Sequence, residues 1–337
     1  MKLSIICYLS DDKKLNQTTV EALEKMASYS LEHDNHVTVA GKHVDKKYNN
    51  GKKDSVTASY EVEVVLNTDR VQDDRSWYEN IITRIGNHAF TSKVDKETYA
   101  SEQDAHQKMA EKASGDYIMI IHAGDDISSN LAEVFVKGNV QCYDMDTYMI
   151  TKAFHDETFG AFRNYKKVTD GEDIKSFYII DLKSKYDCFP FGFGGVIIRA
   201  EAFKKQSVDP ALGLEAERDF MLRLMAKSMK TCFLPYAILT AYEYEEHDNI
   251  FYRGLYMREW YFESITDFWM PFLQEMKVTY GSIPVFIQYN FMYSVMARFN
   301  GNMDNKNKHV IEEGHGEEYL ELIGQALRLI EENIMLN

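Results

Sequence analysis

The chain has 337 residues, 45% of them hydrophobic, and a formal net charge of -15. That length and apolar content can bury one large core, or one core plus an appendage, and the negative charge excludes proteins that neutralise nucleic-acid phosphates or lie on anionic membranes through basic patches. The cysteines Cys7, Cys142, Cys188 and Cys232 form no C-x-x-C pair, and no apolar run approaches the roughly 18 residues of a bilayer span, so a zinc ribbon, a disulfide framework and a transmembrane anchor are excluded.

In chain order, "LSIICYL" (3 to 9) predicts a strand, and Val20, Leu23, Ala27 and Leu31 in "TTVEALEKMASYSLE" predict a helix by their spacing. Val37 and Val39 alternate as in a strand. Residues 42 to 56, rich in lysine, form an expected exposed excursion, and "EVEVVLNTD" (61 to 69) is a second apolar strand. A helix around "SEQDAHQKMAEKAS" leads into the strand "DYIMII", which ends against Asp125 and Asp126. This alternation predicts β-α-β units and a mostly parallel sheet, in which ligands bind beyond the carboxyl ends of the strands. An acid placed there faces a ligand, although "DDISSNLAEVF" also offers Asp126 or Ser128 as a helix N-cap.

Further on, Gly194 and Gly195 lead into "VIIR", a strand rather than a helix, which argues against a phosphate loop and for a close backbone approach. In "GLEAERDFMLRLMAKSMKTCFLP" (213 to 235), Leu214, Glu217, Met221 and Leu224 share a helical face, so Glu217 sits among core residues near a helix N-terminus. Partial desolvation there is expected to raise its pKa. Beyond residue 246 the chain turns aromatic and helical, with Leu320, Ile323, Leu327, Ile330 and Ile334 spaced as one core stripe.

The order of these segments resembles the family 2 glycosyltransferases of GT-A fold over roughly residues 1 to 245. "SIICYLSD" (4 to 11) is similar to the family's opening S-I-I-x-P-x-Y-N, with Tyr8 for the proline and Asp11 for the asparagine. "AHQKM" (105 to 109) stands where the family has A-R-N-x-G, with "GDYI" at the family's offset, so His106 and Gln107 replace arginine and asparagine. "HAGDD" (122 to 126) resembles a variant D-x-D motif in which His122 takes the first position and Asp125 is the metal-facing acid. "GGVIIRAEAF" resembles the G-G-x-x-I-R strand that faces the bound sugar, and "AERDFMLRL" resembles E-D-x-D-x-x-L-R-L, with Ala216 at the glutamate and Glu217 at the catalytic base. "AILTAYEYEEH" ends on His247, where many members place a histidine near metal and diphosphate.

The resemblance implies an α/β GT-A domain over 1 to 245 and a helical extension over 246 to 337, the latter similar to extensions in bacterial enzymes of capsule or wall polymers. It implies an inverting transfer from a UDP-sugar to a hydroxyl of a cell-surface glycan or lipid-linked acceptor, by a hexosyl- or N-acetylhexosaminyl-transferase. Glu217 is then the catalytic base, and Asp125 with His247 holds Mn2+ or Mg2+. Ser10, Asp11, Asn67, Asp69, His106, His122, Gly124, Gly194 and Gly195 line the nucleotide-sugar site. A cytoplasmic protein is expected, at most peripheral at the membrane, with a further transferase domain or a homo-oligomer as possible company. The reading from another class is a GT-A-like glycan-binding or scaffolding module without turnover, which the altered positions His106, His122 and Ala216 favour. A nucleotidyltransferase needs a glycine-rich basic loop after the first strand, and "SDDKKLN" has no glycine.

Overall fold

A computed structural model describes residues 1–40, 55–71, 75–86, 90–142, 145–154, 157–160, 175–241, 254, 257–303, 310–311 and 314–335. Its centre is a ten-stranded mixed sheet. Strand β1 (Lys2–Tyr8) leads through Asp12, whose side chain accepts the N–H groups of Lys14 and Leu15, into helix α1 (Lys13–Glu32). Next come β2 (His36–Ala40) and β3 (Ser55–Ser59), which pair only with each other as a separate two-stranded sheet. The excursion expected over 42 to 56 therefore ends in a strand, with residues 41–54 outside the described set. Strand β4 (Glu61–Asn67) is the parallel neighbour of β1, so "EVEVVLN" and not "HVTVA" is the second strand of the main sheet. The sequence reading lacked the next two elements, helix α2 (Arg75–Ile85) and strand β5 (Phe90–Asp95).

Helix α3 (Glu102–Lys112) and strand β6 (Tyr117–His122) follow, then the two-residue β7 (Asp126–Ile127), helix α4 (Leu131–Gln141), and strands β8 (Thr147–Phe154), β9 (Glu157–Gly160), β10 (Tyr178–Asp181) and β11 (Val196–Arg199). Helix α5 (Ala216–Ser228) and strand β12 (Lys230–Ala241) complete the α/β part. Along the sheet the order is β10-β12-β8-β11-β6-β1-β4-β5, parallel from β6 to β5, with β11 running antiparallel between β6 and β8.

This topology decides where chemistry gathers. Parallel register sets Tyr8 beside both Asn67 and His122, so β1, β4 and β6 end on one line. Because β11 is reversed, its beginning and the glycines before it arrive at that same end. Helix α3 packs over β1, and α5 starts near the same edge.

Both faces of the central strands are covered, which explains their continuous apolar runs. Side chains alternate across the sheet, so Ile6, Ile118 and Ile120 join one core while Ile5, Cys7, Met119 and Ile121 join the other. The first of these cores continues without interruption into the C-terminal helices α6 (Met270–Tyr280), α7 (Val285–Met303) and α8 (Gly316–Leu327), through Trp260, Trp269, Phe286 and Phe291. In α8 the stripe is offset from expectation. Tyr319, Ile323 and Ala326 are buried while Leu320 is 57% exposed, and the helix stops before Ile330 and Ile334, which reach the core from the following turn and a short helix. No helix among the described residues is long and apolar enough to cross a membrane.

A buried ionic network joins the two parts. Glu215, 2% exposed, faces Arg218 at 3.0 Å and Arg298 at 3.4 Å, and accepts the Ser264 hydroxyl at 2.7 Å. Arg298 also donates to the Trp260 carbonyl and lies over its indole ring. Burial holds the Arg298 guanidinium down to about 10, the Glu215 carboxylate notwithstanding. Glu215→Ala leaves two buried cations facing each other without their shared anion, and is expected to cost roughly 3–5 kcal/mol in urea unfolding. Replacing all three ionic residues with apolar ones of similar volume is expected to cost far less.

Candidate active site

The apolar strand β6 ends at His122, and the chain reverses over His122–Asp125. Asp125 N–H donates to the His122 carbonyl at 3.0 Å, and Asp125 Oδ2 accepts the His122 N–H at 2.8 Å. Gly124 sits between them at φ 97°, a conformation that costs glycine little and a side chain much, and its N–H donates to Thr19 Oγ1 at 2.8 Å. Asp125 is thus a turn-closing carboxylate, 5% exposed. Asp126 is not the cap of α4 that the sequence suggested. It lies in β7, opposite Thr240 of β12, and the cap position belongs to Asn130, which makes no side-chain cap hydrogen bond.

Helix α3 brings the next two groups. Ser101 caps it by accepting the Asp104 N–H, and Glu102 in its first turn precedes His106 by four residues, so both project from one face. Glu217 occupies the first turn of α5. Its Oε2 accepts the Phe193 N–H at 3.1 Å, and a Cβ on Gly192 would lie 2.7 Å from that same oxygen. Glycine at 192 is what allows the chain to pass so close to the carboxylate.

These elements place two imidazoles between carboxylates. His106 is fully buried, with Nδ1 3.4 Å from Glu217 Oε1 and Nε2 3.8 Å from Glu102 Oε1. His122, with 36% of its side chain exposed, has Nε2 3.6 Å from Glu217 Oε1 and 3.7 Å from Glu102 Oε1, while Nδ1 lies 3.6 Å from Asp125 Oδ2. The rings meet edge to face, 5.4 Å between centroids. Desolvation disfavours charge on both His122 and Glu217, but each supplies the counter-charge the other lacks. For His122, the Asp125 and Glu217 carboxylates outweigh burial and hold the imidazole pKa well above its ordinary value. For Glu217, burial is outweighed by the His106 and His122 rings, and its pKa falls well below the usual carboxylate range. The raised pKa expected for Glu217 is therefore reversed, because desolvation was weighed without the two imidazoles.

Of the other predicted residues, His122, His106, Gly124, Asp125, Glu217 and the loop before β11 come together. Ser10 and Asn67 lie at the same sheet edge, but their polar atoms are engaged locally. The Ser10 N–H donates to Asn16 Oδ1, while Asn67 Nδ2 donates to the Glu97 carbonyl and its Oδ1 accepts the Asp69 N–H. Asp69 accepts the Thr98 hydroxyl, and Asp11 is exposed at the loop. Gly194 approaches Lys152, whose Nζ would lie 2.9 Å from a Cβ there. Gly195 adopts φ 78°. His247 lies outside the described residues.

Sequence reasoning missed Glu102 and Lys152. The signal for Glu102 was its i, i+4 spacing from His106; Lys152 had none, since only the sheet order brings β8 beside the glycines. Also unread was a partly buried aromatic wall beside the loop, in which Phe191 stacks on Tyr293 at 4.9 Å and Tyr186 on Tyr289 at 4.5 Å.

The fold is that of the GT-A glycosyltransferases. S. aureus TarS residues 1–349, in complex with UDP-GlcNAc, aligns with a TM-score of 0.59 at 11% identity, covering 99% of this chain and 83% of TarS 1–349. A longer S. aureus TarS structure gives 0.56 at 11% identity over 99% of this chain and 50% of its own. TarS 1–349 with UDP gives 0.50 at 10% identity over 99% and 82%. At such identities the likeness is one of fold. No protein-family profile matches the chain, and no curated protein sequence does.

The two neighbouring aspartates should part company on substitution. Asp125→Ala strands the His122 N–H and is expected to cost about 1–3 kcal/mol in chemical denaturation. Asp126→Ala, at a partly exposed position pairing through its backbone, should stay within about 0.5 kcal/mol of the unsubstituted protein.

Proposed function

We propose that this protein is a glycosyltransferase that moves a sugar, with inversion, from a UDP-sugar to a hydroxyl of a surface glycan or lipid-linked acceptor. The observation that carries the reading is the Glu217 carboxylate, held at the carboxyl end of the central strands by the Phe193 N–H and flanked by His106 and His122. The GT-A fold supports it, as does the UDP-GlcNAc bound by TarS, the protein this chain resembles in fold.

In this reading the donor lies across the ends of β1, β4 and β6, with the glycine loop before β11 beneath its sugar. Glu217 is ionised throughout the working pH range, the form a base needs, and its Oε1 takes the acceptor proton as the hydroxyl attacks the anomeric carbon. Its low basicity puts its contribution at the lower end of general-base effects, about a hundredfold. Lys152 beside Gly194 offers a positive charge towards the departing diphosphate. Phe191 and Tyr293 offer a flat apolar face next to Glu217 on which an acceptor sugar ring stacks. A divalent ion, Mn2+ or Mg2+, belongs to the reading because a chain of this acidity needs a cation to accept a diphosphate. The residues present fit Mn2+ better than Mg2+, since Glu102, His106 and His122 each bring a ligand atom within 4.8 Å of the others and two of the three are imidazoles. Such an ion, when bound, neutralises charge developing on the leaving group.

One observation favours a second reading. Both Glu217 oxygens already have partners within the protein, which suits a GT-A-like glycan-binding module that has lost turnover.

Two measurements separate these. A UDP-sugar should raise the thermal midpoint when a divalent ion is present and leave it unchanged in excess EDTA; equal stabilisation with and without EDTA counts against the metal-assisted transferase. Glu217→Gln should lower transfer about a hundredfold while donor binding stays near the unsubstituted level. Glycan binding with no transfer from any UDP-sugar selects the binding module.

A further inference from the structure

The spacing within the histidine–carboxylate cluster carries more than its presence. A charge-assisted hydrogen bond between an imidazole and a carboxylate closes to about 2.7–2.9 Å. Here the four contacts among Glu102, His106, His122 and Glu217 are all longer, from 3.4 to 3.8 Å. That separation is close to the edge of a tetrahedron of N and O donors around an ion at about 2.0–2.1 Å, which is roughly 3.4 Å. His106 adds an independent sign. It is 0% exposed, and neither ring nitrogen makes a hydrogen bond among the described residues, a costly state for a buried polar group unless something else occupies the space between the donors.

The ring orientations complete the pattern. His122 turns Nε2 towards Glu102 and Glu217 and Nδ1 towards Asp125; His106 turns Nε2 towards Glu102 and Nδ1 towards Glu217. Each imidazole therefore directs Nε2 at Glu102 and has a second carboxylate behind Nδ1, Asp125 for His122 and Glu217 for His106, with Glu217 also reaching His122 Nε2. This is how a metal-ligating histidine has its tautomer and ring plane fixed.

We infer that Glu102 Oε1, His106 Nε2 and His122 Nε2 form a three-ligand centre for a transition-metal ion, with Asp125 orienting His122 from behind rather than ligating. Two nitrogen donors and one oxygen suit Zn2+, Co2+ or Mn2+ and suit Mg2+ poorly, because Mg2+ prefers an all-oxygen octahedron. Three protein ligands leave the fourth position open for an oxygen of a diphosphate. The inference deepens the proposed transferase reading; its purpose rests on that reading, while its geometry does not.

Co2+ is the probe, because a tetrahedral Co2+ centre absorbs visible light. Protein dialysed against EDTA and then freed of it should take up one Co2+ per chain, show that band, lose it to stoichiometric Zn2+ and keep it in a large excess of Mg2+. Glu102→Gln and His122→Ala, both at partly exposed side chains, should each weaken Co2+ binding about a hundredfold or more with unchanged circular dichroism. Asp125→Asn should weaken it about 10–100-fold. No Co2+ uptake by the unsubstituted protein, or uptake unchanged in both Glu102→Gln and His122→Ala, overturns the centre. Co2+ binding without any UDP-sugar binding keeps the centre and sinks the transferase. Sugar transfer supported by Mg2+ in a protein that takes up no Co2+ does the reverse.

Discussion

Much of the molecule hangs on one buried carboxylate that performs no chemistry. Glu215 lies directly before helix α5 and is shared by Arg218 in that helix and Arg298 in α7, with Ser264 as a further donor. Desolvating three charges is expensive, and the pairing repays it only while every partner is in place. The network therefore fixes the start of α5 against the C-terminal helices with little freedom to slide. Glu217 lies two residues further along, on a different side of the helix, so the contact that holds Glu215 inward also sets where Glu217 emerges. A C-terminal helical region that shares a core with the sheet is part of how the cleft keeps its shape.

The second determinant is the reversal of β11. In a wholly parallel sheet the loop before that strand would arrive at the far end, away from His122. Running antiparallel to β6, it delivers Gly192, Phe193 and Gly194 to the carboxyl edge, where Phe193 N–H meets Glu217 and Gly194 meets Lys152. A Cβ at 192 would displace the Glu217 carboxylate from its place against the Phe193 amide, so sequence, backbone path and charge placement are one constraint seen from three sides.

The sequence disclosed what periodicity and order carry. Strands β1, β4, β6 and β11 and helices α1, α3 and α5 were readable from apolar spacing, and the sheet edge as the place for a ligand followed from alternation. The cap of α4 was misread because a pair of aspartates before an apolar run looks the same whether it opens a helix or closes a turn and begins a strand. Leu320 was misread because the buried stripe runs through Tyr319, Ile323 and Ala326, and Leu320 lies one position out of phase with it. Short polar strands such as β3 and β5 carry weak alternation and were passed over. Motif order singled out His106, His122 and Glu217, which the fold brings together, but not Glu102, since a helix first-turn acid is ordinary until the fold sets a second histidine beside it.

Electrostatics link these positions into one argument. A surplus of carboxylates works against the diphosphate of the proposed reading, yet Glu102, Asp125 and Glu217 all converge here in a chain of net charge -15. Histidine at 122, where the related motif has aspartate, removes one negative charge and supplies a nitrogen donor; histidine at 106 supplies the second. The carboxylates then divide by geometry. Asp125 is turned to the backbone of its own loop, Glu217 is held by the Phe193 amide, and Glu102 alone faces both Nε2 atoms. A cation set among those three atoms would satisfy the buried His106 ring and offset much of the carboxylate charge that a phosphate meets in the proposed reading. Catalytic competence in the proposed transferase therefore turns on whether the Glu102, His106 and His122 donors are filled.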